Sequence, residues 1–273
     1  MSEDALARIA AALERLAPPA PPATDWNAHP AYVWDHAGVR AVERIDAPPL
    51  DLLRGVDAAK AAVVANVARL ASGAAAHDML LWGARGMGKS ALLRSAVGAA
   101  QAERPRALAL VQAAPDAVAS LPALFAALRG SARRYLVFLD DLGFESGDAL
   151  AARHLRSWLE GGVEARPGNV RLAVTSNRRA ILERHAGEQD DPLSPRDAID
   201  DKLALADRFG LSLGFHACSQ DDYLAIVGGY GEAHGLVWDA ADALEWARRR
   251  GSRSGRVAWQ FVTELAGLAG QAI

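Results

Sequence analysis

One cysteine, Cys218, stands among 273 residues. A disulfide framework is therefore excluded. With a single thiol and seven scattered histidines, no metal-ligand spacing can be read. No apolar run approaches the ~20 residues that a membrane-spanning helix needs. The start, Met1-Ser-Glu-Asp4, is acidic where a secretory leader would be basic, so a cytoplasmic location is the expectation. Charge of one sign is missing too. The net charge is -3, and nothing global calls for a membrane surface or nucleic acid.

What the chain has is apolar material, 51% of it, enough for roughly two domains or one large α/β domain. Much of this is alanine, which favours helix more than it adds core volume. Leu6, Ile9, Leu13 and Leu16 fall on one face of an expected helix over 2–16. The run Pro18-Pro-Ala-Pro-Pro22 then makes a stiff linker. Residues 23–50 read as irregular, with Trp26, Tyr32 and Trp34 as packing anchors. A helix is expected from Asp57 to Leu70, with Ala59, Val63, Val67 and Leu70 on one face. Strands are expected at 79–82, 107–111, 135–139, 170–175 and 211–215, separated by helices. Continuously apolar strands such as Tyr135-Leu-Val-Phe-Leu139 suit a parallel sheet covered on both faces. After 215 the strands stop. Ser219 with Asp222 resembles a helix start, and three helices follow near 220–234, 240–250 and 256–269. The division expected is an N-terminal segment (1–45), an αβα core (46–216) and a small all-helical unit (217–273).

The decisive motif is Gly83-Ala-Arg-Gly-Met-Gly-Lys89-Ser90. Two glycines with four residues between them, followed by Lys and Ser between a strand and a helix, make a phosphate-binding loop. Glycines let backbone N–H groups turn toward an anion, and the helix N-terminus adds positive potential. Lys89 would meet the β- and γ-phosphates and Ser90 would hold Mg²⁺. The residues expected to contact nucleotide are Gly83, Ala84, Arg85, Gly86, Met87, Gly88, Lys89, Ser90 and Ala91.

Three further stretches carry chemistry. The strand at 135–139 ends in Asp140-Asp141, at the sheet edge where ligands bind in open α/β folds. Asp140 would position Mg²⁺, and Asp141 would orient the attacking water. The strand at 170–175 ends in Ser176-Asn177, whose neutral amide would align water against the γ-phosphate. Asp207-Arg208-Phe209-Gly210 precedes the last strand, so Arg208 is either a residue reaching a neighbouring subunit's γ-phosphate or half of a surface ion pair. Arg256 opens the last helix, where a cation is unfavourable for the helix dipole. It either meets the nucleotide's phosphates or is a surface arginine on a turn. Glu145 and Asp148 read as acids at a helix start rather than metal ligands. Arg166, Arg178 and Arg179 flank the expected site and are further candidates for an inter-subunit contact, with Arg208 favoured by its place before the last strand.

In this order, phosphate loop, Asp-Asp strand end, Asn strand end, Asp-Arg-Phe and a helical tail with Gly255-Arg256, the chain resembles the AAA+ ATPases. Asp140-Asp141, where Asp-Glu is common, resembles the branch of replication initiators, helicase loaders and transposon-helper ATPases. The chain is closer still to an uncharacterised bacterial AAA+ family carried under a domain-of-unknown-function label. That resemblance rests on 83–90, on Asp140 to Asp148, on Leu159 to Asn169 running into Thr175 to Arg179, and on Asp207 to Leu211. It implies a parallel five-stranded sheet of order 5-1-4-3-2 with helices on both faces and a C-terminal helical lid. It also implies ATP with Mg²⁺, a homo-oligomer, Asn177 as sensor 1, Arg208 as the trans arginine finger and Arg256 as sensor 2. Asp141 is one methylene shorter than the usual glutamate, which implies slow hydrolysis.

The function expected is thus an oligomeric ATPase that remodels or loads an unidentified protein partner. Two alternatives stand beside it: a nucleotide switch that grips a partner and rarely hydrolyses, and a P-loop small-molecule kinase, against which Asn177 and the separate helical tail argue. Arg248-Arg-Arg250, Arg253 and Arg256 near Trp246 and Trp259 raise nucleic-acid contact. Arginines at a helix C-terminus and tryptophans at core spacing account for the same residues without it, and that reading is favoured.

Overall fold

The computed structural model describes residues 24–142, 166–177 and 207–273, together with Arg8, Leu155, Trp158 and Leu159. The expected helix over 2–16, the proline linker, Glu145, Asp148, Arg178 and Arg179 lie outside the described residues.

Among the described residues the chain forms one sheet of seven strands: β1 (Ala31–Asp35), β2 (Gly38–Val42), β3 (Met79–Gly83), β4 (Leu108–Ala113), β5 (Arg134–Leu139), β6 (Val170–Ser176) and β7 (Leu211–Phe215). The strand order is β2-β1-β4-β5-β6-β3-β7. The last five are parallel neighbours, and their sequence is the expected 5-1-4-3-2 read from the other edge. The segment 23–50, read as irregular, is corrected. Residues 31–42 form a hairpin whose first strand runs parallel to β4 and whose second pairs antiparallel with the first. The reason is tertiary. Tyr32 is 1% exposed, its ring 4.8 Å from Trp26, and its hydroxyl donates to the Asp25 carbonyl at 2.6 Å. Docking of these aromatics holds five residues extended that have little alternation of their own.

The strand residues split by parity, as side chains on a pleated sheet must. Leu136 and Phe138 face one apolar cluster, and Tyr135, Val137 and Leu139 face the other. The first cluster is covered by α1 (Asp57–Ser72) and α2 (Lys89–Glu103), the second by α3 (Leu121–Leu128) with Leu155. Helix α1 ends at Gly73, whose φ of +80° is left-handed and natural for glycine at that position.

The tail is helical as expected: α4 (Gln220–His234), α5 (Ala240–Arg249) and α6 (Gly255–Leu268). Ser219 and Asp222 form a reciprocal capping box at the start of α4. Three glycines inside α4 are poor helix formers, and packing explains two of them. A Cβ on Gly231 would lie 2.8 Å from the Trp238 ring, and one on Gly229 would lie 2.8 Å from Arg54 Nε. Arg54 belongs to the segment before α1 and donates to the Ala225 carbonyl at 3.3 Å, so it straps the core to the lid. The apolar cluster on the α1–α2 face continues through Leu53 and Phe215 into Tyr223, Ile226, Phe261 and Val262. No helix among the described residues is long and apolar enough to cross a membrane.

Candidate functional site

The loop from Gly83 to Gly88 joins β3 to α2. Gly83 has φ +115°, and a Cβ there would lie 2.2 Å from the Phe215 carbonyl oxygen. No side chain fits, because Ala84 N–H donates to that same oxygen at 2.7 Å. The loop is thereby tied to the end of β7. Gly86 and Gly88 have φ of +79° and +84°, a region open to glycine and strained for other residues. Gly88 caps α2 with no side-chain hydrogen bond, leaving the first N–H groups of that helix directed at the loop. Met87 is buried in the core, so it offers the site only its backbone. Ala91, in the first turn of α2, packs at the margin of the apolar cluster. Arg85 is exposed.

Lys89 is 5% exposed. Its Nζ donates to the Gly83 carbonyl at 2.9 Å, the Ala84 carbonyl at 2.8 Å and Asn177 Oδ1 at 3.0 Å. Burial holds this ammonium below the ordinary lysine range; Asp141 and Asp140 work against that shift, and Arg85 and Arg256 add to it. A buried cation whose hydrogen-bond partners are neutral is a place where an incoming anion gains most.

Around it the strand ends converge. Ser90 Oγ donates to Asp140 Oδ1 at 2.5 Å, and Thr175 Oγ1 donates to the same oxygen at 2.6 Å. The Thr175 hydroxyl also accepts from Asp141 N–H at 2.8 Å. Asn177 Nδ2 donates to Asp141 Oδ1, and Arg85 Nη2 lies 3.4 Å from Asp141 Oδ2. Asp141 sits at φ +52°, left-handed and strained for a non-glycine residue. The hydroxyl of Ser90 and the carboxylate of Asp140 are hard oxygen donors of the kind Mg²⁺ takes.

The lid closes against the loop. Arg256 N–H donates to the Gly86 carbonyl at 3.1 Å, and a Cβ on Gly86 would lie 2.9 Å from Ser254 Oγ and 3.2 Å from Arg256 Cβ. Ser254 caps α6, its hydroxyl accepting from Val257 N–H. The exposed Arg256 side chain therefore starts beside the loop. Leu53, before α1, packs 3.6 Å from a Cβ position on Gly88.

The structure thus gathers Lys89, Ser90, Asp140, Asp141, Asn177, the glycine loop and Arg256. It does not bring Arg208 to them. Leu211 at the start of β7 is in register with Met79, and Phe215 at its end with Gly83. Arg208 precedes that start and so lies beyond the far end of a five-residue strand, about 17 Å of rise from the loop. Arg166 is corrected more fully. It flanks the expected site in sequence, yet it forms an ion pair with Asp78 at that same far end, the two side chains 14% and 11% exposed. Asp78 also accepts from Leu172 N–H at 2.7 Å, so Arg166 is part of the sheet's foundation. Sequence reasoning missed Thr175 as a site residue, the turn of Arg85 to Asp141, and the seating of Ser254 on Gly86. Only the first left a signal, a hydroxyl two residues before Asn177.

The family model described as "Protein of unknown function (DUF815)" matches residues 27–269. The chain belongs to this family. No curated protein matches it. Among solved structures, the Holliday junction branch migration motor RuvB of Thermotoga maritima matches with a TM-score of 0.50 at 16% identity, over 82% of this chain and 66% of that one. The ORC1 protein of Aeropyrum pernix, solved in complex with DNA, matches with 0.57 at 16% identity, over 81% and 65%. The ORC2 protein of Aeropyrum pernix, with ADPNP and ADP, matches with 0.51 at 16% identity, over 84% and 67%. The chain spans about two thirds of the length of these proteins. At such identity the likeness is one of fold. This DUF815 member has the AAA+ P-loop NTPase fold, as its motif order implies.

Proposed function

We propose that this chain binds ATP with Mg²⁺ and hydrolyses it slowly at an interface between copies of itself, coupling the cycle to remodelling or loading of a macromolecular partner. One observation carries the reading. The buried Lys89, Ser90, Asp140 and Asn177 converge at one end of β3, while Arg208 stands at the far end of β7. An arginine so placed serves a neighbour's site rather than its own, and an arginine supplied from outside adds transition-state charge only on assembly.

The chain's own residues divide the work. Lys89 exchanges two carbonyls of its own loop for phosphate oxygens. Loop N–H groups and the start of α2 cradle the anion. Ser90 and Asp140 would hold Mg²⁺, which would neutralise charge on the phosphates. Asn177 and Asp141 orient water, and Arg256 carries lid closure to the phosphates. Leu53 supplies an apolar contact beside the loop.

A second reading is the slow switch. It is favoured by the carboxylate of Asp141, which is short and already engaged by Asn177 and Arg85. The test is steady-state ATP hydrolysis against protein concentration for wild type, Lys89→Ala and Arg208→Ala, with ATP affinity measured alongside. The ATPase reading expects specific activity to rise with concentration, Lys89→Ala to lose binding, and Arg208→Ala to bind ATP but not turn it over. Activity flat in concentration and indifferent to Arg208 overturns the trans arrangement. Tight binding with no turnover in assembled protein selects the switch. Phosphate appearing on a small acceptor would select a kinase.

A further inference from the structure

The chain as a whole carries -3, yet residues 245–256 hold five arginines against one glutamate, a local +4. Glu245 is already engaged by Arg248 and Arg249. Arg250, Arg253 and Arg256 are exposed, and among the described residues none has an ion-pair partner. Arg250 lies over the Trp246 ring at 4.7 Å, which directs its guanidinium along the lid surface. These side chains run from the end of α5 across the connecting turn to the start of α6. There Arg256 begins the solvent face of the helix. One turn on, three residues from Arg256 and on the same face, stands Trp259, 36% exposed. The Trp259 ring is propped by Tyr230 at 5.0 Å and His234 at 5.7 Å, both on α4. Trp246, by contrast, packs against Phe261 at 6.0 Å and is part of the lid core.

We infer that this strip, Arg250 and Arg253 leading past Arg256 to Trp259, is a binding surface for single-stranded nucleic acid. The occupant follows from two chemistries together. Guanidinium forks match phosphate oxygens bidentately, and the forks of Arg250 and Arg253, exposed and without an ion-pair partner among the described residues, suit neighbouring backbone phosphates. An exposed indole held by two other rings suits an unstacked base, and stacking of that kind is indifferent to base identity. An acidic peptide would satisfy the arginines but has no use for the indole, and a duplex keeps its base faces hidden. Because Arg256 also seats its backbone on the phosphate loop, the strip begins at the mouth of the nucleotide site. The inference does not depend on the nucleotide reading, since the residues that test it make no contact with the loop.

The test is fluorescence anisotropy of a labelled oligothymidylate of about 20 nucleotides, titrated with the full chain at low and moderate salt. Parallel titrations use an equally charged polyglutamate and a duplex of the same length. Binding is expected for the single strand, with affinity falling with salt. The double substitution Arg250→Ala, Arg253→Ala should weaken it roughly ten-fold or more and flatten the salt slope by about 1.4, from two fewer phosphate contacts. Trp259→Ala should weaken it roughly ten-fold with little change in slope, and Trp259→Phe should recover part of the loss. Arg44→Ala, an exposed arginine beyond β2, should change nothing. Melting temperature and ATP affinity of each variant, kept at wild-type values, separate loss of the strip from loss of the fold or of the nucleotide site. Absence of binding at low salt overturns the inference. So does binding that ignores both substitutions, or polyglutamate binding as tightly as the oligonucleotide, or duplex binding preferred with Trp259→Ala silent.

Discussion

At the scale of single residues, the least conspicuous side chain near the site makes the strongest case. Thr175 is 1% exposed, and its one hydroxyl donates to Asp140 and accepts from the Asp141 N–H. It thereby fixes the carboxylate proposed to hold Mg²⁺ and the backbone of a strained neighbour at once. Thr175→Val keeps the shape and removes both bonds, the one to the Asp140 carboxylate worth about 1.5–3 kcal/mol and the one from the neutral Asp141 N–H about 0.5–1.5 kcal/mol. Hydrolysis should fall roughly ten-fold or more, while ATP affinity, which the proposed function rests on Lys89 and the loop, should change little. Thr175→Ser should recover most of the rate, because the hydroxyl and not the methyl holds the carboxylate. Turnover and equilibrium binding measured on the three proteins decide this. Equal losses for Val and Ser would mean the methyl's packing matters instead. Lys89, Ser90, Asp140, Asp141 and Asn177 were legible in the sequence because each ends a strand or opens a helix at a spacing that chemistry constrains. Thr175 was not, because its role arises from two strands lying side by side, and pairing across β5 and β6 leaves no local mark. Arg166 misled for the related reason that its part-buried ion pair with Asp78, which occupies the side chain, joins residues 88 apart in the chain.

At the scale of elements, the parallel strands were legible from their continuous apolar runs and the first lid helix from its cap. The β1–β2 hairpin was not, since its turn, Asp35 to Gly38, lacks a strong two-residue signal and its strands are held by aromatic docking. The contact between phosphate loop and lid was equally hidden, and it can be probed. Gly86→Ala meets a φ of +79° and places a Cβ 2.9 Å from Ser254 Oγ, so α6 must back away from the loop. The left-handed backbone alone costs about 1–2 kcal/mol. Calorimetry should find ATP bound roughly ten-fold more weakly, with only a small drop in melting temperature; unchanged affinity would mean that the lid's seat on the loop is irrelevant to binding. Cys218, 6% exposed between β7 and α4, reports on the same joint. Burial first, then the Asp222 carboxylate, pushes its thiol up to about 11, with Arg253 opposing. The raised value means that the buried neutral thiol favours the folded state fully below the ordinary pKa of 9.0, and that this contribution is lost between 9.0 and about 11. At pH 9 only ~1% of the native thiol is thiolate, against about half of an exposed one. Iodoacetamide should therefore label native wild type slowly at that pH and label Gly86→Ala faster. Rapid labelling of wild type would show that the joint is already open.

At the scale of the whole molecule, the fold puts the two halves of the proposed reaction at opposite ends of one strand. Phe215 closes β7 and holds the phosphate loop through Ala84 N–H at 2.7 Å; Arg208 stands before the other end. On the proposed function one subunit would hold nucleotide at one edge and offer an arginine from another, an arrangement that would work only if copies meet head to tail. Such heterologous contacts close into rings or run on as filaments. The prediction is complementation. Lys89→Ala subunits bind no nucleotide but keep Arg208; Arg208→Ala subunits bind nucleotide but offer no arginine. Each alone should be inactive. Mixed in equal amounts under assembling conditions, about a quarter of interfaces join an intact site to an intact arginine, and a corresponding fraction of wild-type activity should return. Dilution should abolish it, because the recovered site exists only between subunits. If Arg208 instead served its own chain or merely stabilised the end of β7, mixing would restore nothing, and Arg208→Ala would lower melting temperature and turnover together at every concentration. Recovery without loss on dilution would also count against head-to-tail assembly, since a site shared between weakly associating copies must follow mass action.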